Sequence, residues 1–157
     1  MSRVYSVNFE NVAVTAAQDF FEIAPTDDKP VRILGFALYQ STDVGDAAEE
    51  ILRLQIIRGH STSGSGGSTA TPTPMKPNDT AAGDTTVEIN NTTIASAGTG
   101  VVCATHYMNV RTGIEVFYPP ECQPQASEAN STIVLRLLAA PADSLTMGGT
   151  IWFEELN

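Results

Sequence analysis

The chain has 157 residues, 42% of them apolar, and a formal net charge of −10. That length favours one domain over 1–157, and the apolar share excludes a disordered chain. Only 8 Lys and Arg stand against 18 Asp and Glu, which excludes nucleic acid and anionic membrane as partners, since both are bound through cationic patches.

Val4 to Phe9 alternates Val4, Ser6 and Asn8 with Tyr5, Val7 and Phe9, the two-residue period of a strand. Val12 to Thr15 reads as a second short piece. Gln18 to Ala24 is a strand closed by Pro25, and PTDDKP supplies turn chemistry. Val31 to Gln40 is a longer strand. Ala47 to Arg58 reads two ways: Asp46 as N-cap, Glu49 and Gly59 suit a helix, while Leu52, Leu54 and Ile56 alternating with Arg53, Gln55 and Ile57 suit a strand. The apolar positions make a poor helical stripe, so Ile51 to Arg58 is predicted as a strand, with room for a helical turn over Asp46 to Glu50. The stretch RGHSTSGSGGSTATPTPMKP then opens a long loop at 59–84. Strands follow at Thr85–Ile89, Val101–Val110, Gly113–Tyr118, Thr132–Ala139 and Thr146–Leu156. Eight or nine strands with turns between them and no convincing amphipathic helix predict an all-β antiparallel sandwich, jelly-roll-like, rather than a parallel α/β sheet.

The motifs that would carry chemistry fail one by one. The run Ser63 to Ser68 lacks the Lys and the following helix of a phosphate loop, and Pro72 and Pro74 forbid such a helix. Ser65 has Ser63, not Gly, two residues before it, so it is no nucleophile elbow. Cys103 and His106 lie three apart, which in a regular strand points them to opposite faces and argues against a shared metal. Cys103 and Cys122 read as free thiols, with a bridge across a hairpin as the other reading. His60 and His106 have no nucleophile signature beside them. The acids Asp27, Asp28, Asp43, Asp46, Glu49 and Glu50 do not match a calcium loop and read as solvated turn residues. Asn78, Asn90, Asn91 and Asn130 head Asn-x-Ser/Thr triplets in polar loops, and the opening MSRVYSVNFE has no apolar core of an export signal. The sequence therefore predicts no enzyme, no cofactor, no catalytic residue and no metal. No apolar run approaches the ~18 residues of a membrane span.

Several strands are apolar on both faces. Ile133, Leu135 and Leu137 take one face, while Val134 and Leu138 flank Arg136 on the other; Ile151 and Phe153 oppose Trp152. Such a sheet needs a cover on its second face, from the long loop or from another subunit. Tyr39, Arg136, Leu138, Trp152, Ser65, Pro72 and Pro74 are the candidate interface residues. Gly64 to Gly67 is expected to be the mobile part of the loop, and Pro72, Pro74 and Pro77 to stiffen the rest into an arm, dispensable for the fold. Exposed tyrosines and Trp152 also allow a carbohydrate-binding module.

NFENVAVTAAQDFFEIAPTDDKP, DVGDAAEEILRLQIIRGHSTSGSGGS, NNTTIASAGTG and AAPADSLTMGGTIWFEEL together resemble a group of small structural proteins of tailed bacteriophages. That resemblance implies a virion component made in the host cytoplasm. Acidity and a single sandwich favour the outer capsid surface: a decoration (cement) protein, a homo-oligomer with a trimer favoured, bound to the major capsid protein or another virion protein. A head fibre, tail or connector role is the alternative.

Overall fold

The computed structural model describes residues 3–26, 28–42, 49–81 and 85–156. Asp27, Asp43, Asp46 and most of the expected helical turn lie outside the described residues. The β-branched and aromatic runs form strands, as their period demands. β1 (Arg3–Val14), β3 (Val31–Gln40) and β12 (Leu145–Glu155) make the centre of one sheet, the front sheet. Short β6 (Thr73–Pro74) pairs with β1 at one edge, and β9 (Ile114–Phe117) and β10 (Gln125–Ala126) both pair with β3 at the other. The back sheet runs β5 (Ser68–Ala70), β7 (Thr86–Asn91), β2 (Gln18–Ala24), β11 (Ile133–Leu137), β4 (Ile51–Arg58), β8 (Val101–Asn109). Every pairing is antiparallel. The segment that read two ways is a strand, because Leu52, Leu54 and Ile56 face the core between β11 and β8.

One core lies between the two sheets. Phe9 packs against both Phe20 and Phe21, with ring centroids 5.8 and 5.4 Å away, and Tyr5 meets Phe153 at 5.6 Å. Each fully buried aromatic or aliphatic side chain contributes about 1.5–3 kcal/mol. The two pieces expected at Val4–Phe9 and Val12–Thr15 are one strand interrupted by a bulge. Phe9 pairs with Gly149 but Val12 with Met147, so β1 carries one extra residue, and Asn11 takes a positive φ of 50°. The bulge changes the inward parity: Tyr5, Val7 and Phe9 before it, Val14 after it.

The stretch at 59–81 is not a free loop. Thr62 and Ser65 form bridges to Ser96 and Thr93, so residues 59–67 and 92–99 make a two-ply cover on the outer face of the back sheet. Gly64 and Gly67, expected to be mobile, are pinned instead: their backbone N–H groups donate to Glu22 Oε2 at 2.9 Å and Asn91 Oδ1 at 3.2 Å. The chain then passes through β5 on the back sheet to β6 on the front sheet, burying Pro72 on the way. This strap closes one side of the molecule. Cover and strap therefore belong to the subunit's own fold, which reverses the expectation of a dispensable arm. Deleting Ser61 to Pro74 strips Glu22 of its Ser63 and Gly64 donors and opens the core beside β1. We expect the deletion to cost 3 kcal/mol or more, roughly 10 °C in Tm for a chain of this size, read in a thermal melt.

Candidate functional site

The polar residues on the outer face of β2 and β11 hold the cover in place. Arg136 lies opposite Asp19 across the β2–β11 pair, at a register shift. Its guanidinium makes a two-pronged ion pair with Asp19, Nε to Oδ1 at 2.6 Å and Nη2 to Oδ2 at 3.0 Å. Nη2 also donates to the Ala95 carbonyl, and the Ala95 N–H donates back to Asp19. His60 completes the set: Nδ1 lies 3.1 Å from the Ala97 carbonyl and Nε2 3.3 Å from Arg136 Nη1. A carbonyl only accepts, so Nδ1 carries the proton and Nε2 accepts from Arg136. Beside this pair, the carboxylate of Glu22 accepts from Gly64 N–H and from Asn91 Nδ2, and the Ser63 hydroxyl sits 2.6 Å from its other oxygen. Ile57, Ala95 and Val134 form a small apolar cluster beneath the same cover. These charges are satisfied by the protein itself, which leaves nothing aimed at a ligand.

The outer face of the front sheet is built differently. Gly35 on β3 lies opposite Phe117 on β9 and Trp152 on β12. A side chain at Gly35 would meet the Val116 carbonyl at 2.4 Å and Phe117 Cδ1 at 2.7 Å, so the glycine is what lets the two rings meet over the strand, centroids 5.1 Å apart. Phe117 remains 60% exposed and Tyr39, further along β3, 45%. Between Tyr39 and β1 runs an open groove of about 330 Å³ floored by Ala37, Gly148, Gly149 and Thr150 and bordered by Asn8 and Glu10. Small residues on β3 and β12, set among exposed rings, leave a shallow apolar face with polar margins.

Among the other titratable groups whose values shift, burial is the first cause in each case. His106 Nε2 and the Tyr118 hydroxyl lie 2.7 Å apart, with His106 edge-on to Phe36. Burial lowers the His106 pKa, while burial and then Cys103 push the Tyr118 phenol well above its ordinary value. Burial also raises the Cys103 thiol, against a smaller opposing effect of Arg58, so the thiolate nucleophile is disfavoured. Cys103 and Cys122 are free. A register shift between Ile56 and Ile57 makes Cys103 the extra residue of β8, and both it and His106 pack towards the core; the opposite-face argument fails at this bulge. Among the described residues, no group of three His, Cys, Asp or Glu is placed to hold a metal ion, and neither imidazole is hydrogen-bonded to a Ser, Thr or Cys side chain.

Of the expected interface residues, only Tyr39 and Trp152 share a face. Arg136 is 7% exposed and Pro72 is buried, because the cover and the strap enclose them; neither is available to a partner. Leu138 is half-buried at the end of β11, Ser65 is exposed on the cover, and Pro74 is half-buried against β1. Phe117 was missed, although Glu115 and Phe117 in IEVF stand on one strand face. The fold and this face together define an all-β, two-sheet protein with one self-covered and one open outer face. No protein-family model, curated protein or solved structure matches the chain.

Two outcomes follow from the buried groups. Arg136→Met leaves the Asp19 carboxylate buried and unpaired, and urea unfolding should show a loss of about 3–5 kcal/mol, most of it recovered by adding Asp19→Leu. Because the folded-state pKa of His106 is depressed, its contribution is complete above about pH 6.5 and lost as the pH falls through the folded value. Urea midpoints at about pH 7.5 and 5.5 should therefore differ less in His106→Gln than in the wild type.

Proposed function

We propose that this chain is a jelly-roll decoration protein of a bacteriophage virion, seated on the outer shell through the open face of its front sheet. The strand order supports the jelly-roll reading: β1-β12-β3-β9 in one sheet faces β2-β11-β4-β8 in the other, so the chain alternates between sheets as it winds. The observation that carries the docking reading is the difference between the two outer faces. The back sheet is closed by its own residues, whereas Phe117, Trp152 and Tyr39 stand open around a floor of small residues. The strong acidity limits stray aggregation and suits the outside of a shell rather than its DNA-filled interior. The partner is then the major capsid protein or another virion protein, and the work is mechanical: bridging shell subunits.

The Phe117–Trp152 pair beside polar Asn8 and Thr150 also suits stacking on a sugar ring, which supports carbohydrate binding as a second reading. Incubation with empty shells separates the two. The wild type should co-sediment with shells, and Phe117→Ser with Tyr39→Ser should lower that binding at least about tenfold, equivalent to the loss of two central aromatic contacts. Glycan binding without shell binding would favour the second reading. Quantitative mass spectrometry of particles should find hundreds of copies; a few per particle would assign the chain to a fibre, tail or connector.

A further inference from the structure

We propose that two copies of this chain pair through β8, antiparallel and edge to edge, extending the back sheet across a two-fold axis at His106. The edges of the two sheets are unequal. β5, β6, β9 and β10 have three, two, four and two residues, too short to template a partner, and the part of β1 beyond Ser6 that β6 leaves unpaired is broken by its bulge and carries Glu10, whereas β8 has nine residues and no charge. The Val110 N–H donates to the Glu50 carbonyl, so by alternation Met108, His106 and Ala104 turn their backbone groups towards β4. The N–H and C=O of Thr105 and Tyr107 consequently point out of the sheet. The bulge at Cys103 ends this regular edge on one side. The turn after Asn109, whose carbonyl accepts from Thr112 and Gly113, ends it on the other.

The open window from Thr105 to Tyr107 is therefore centred on His106, and an isologous antiparallel pairing about that residue bonds Thr105 of each copy to Tyr107 of the other. The side chains fit a second copy better than any charged strand. At a two-fold axis each residue meets its own counterpart or a near neighbour, so a charged strand would set like charges together. VVCATHYMN has no Asp, Glu, Lys, Arg or Pro, in a chain of net charge −10. Pairing about His106 puts Tyr107, 64% exposed, opposite Thr105 on the outer face, a large side chain against a small one. This arrangement is two-fold and departs from the three-fold expectation; it stands independently of shell binding.

Sedimentation velocity of the full chain tests it. The wild type and Thr105→Val should sediment as dimers. Thr105→Pro removes an outward N–H and Thr105→Lys sets a cation beside the axis on each copy; each should raise the dissociation constant at least about tenfold while melting within a few degrees of the wild type. If the proline variant fails to fold, the lysine variant, which keeps the backbone donor, decides. A wild type that stays monomeric at about 100 μM, weaker than specific interfaces require, overturns the proposal, as does a dimer that survives both substitutions.

Discussion

The ion pair of Arg136 with Asp19 is the contact on which the rest of the arrangement depends. Two charges facing outward on neighbouring strands would ordinarily stay in water. Here they are buried, and a buried pair is tolerable only when its remaining hydrogen-bonding capacity is met. The backbone of Ala95 supplies one donor and one acceptor, and His60 supplies a further acceptor. Meeting that need draws 59–67 and 92–99 down onto the back sheet, and Glu22 holds the same cover through Gly64 and Ser63. The pair thus specifies where the cover sits, while the apolar cluster of Ile57, Ala95 and Val134 supplies the burial that favours it.

Closing the back face leaves the molecule asymmetric. From the end of the cover the chain can only continue across the side of the sandwich, and β5 and β6 make that crossing as hydrogen-bonded strap strands. Both the strap side and the back face are then occupied. Among the described residues, the front sheet's outer face, with its rings over Gly35, and the long edge of β8 stay open. Open surfaces of this kind are where partners can seat, and the shell and self-pairing proposals use one each.

Legibility in the sequence followed the range of the interactions. The strand periods of Val31–Gln40 and Leu52, Leu54 and Ile56 were readable because a two-residue alternation reports a local geometry. The bulges in β1 and β8 were not, since one extra residue in a ladder is a property of two strands together. At Cys103 that omission inverted a face argument. Arg136 shows the same limit: between Val134 and Leu138 it reads as an interface residue, and only its partner 117 residues away identifies it as buried. The candidate site was half legible. Tyr39 and Trp152 stand out as aromatics on strands, but the pairing of Trp152 with Phe117 needs three strands in register.

By itself the sequence determined the all-β class, the approximate positions of the strands, the acidity and the absence of any local catalytic or phosphate-binding signature. These depend on side-chain chemistry and short-range period, which neighbouring residues carry. Tertiary structure alone decided that the Gly/Ser/Thr/Pro stretch is a cover and strap, that Arg136 is internal, and which face stays open. Those outcomes turn on whether a charge or an apolar side chain finds its partner across the fold, and burial depends on what lies opposite rather than on what lies next in the chain.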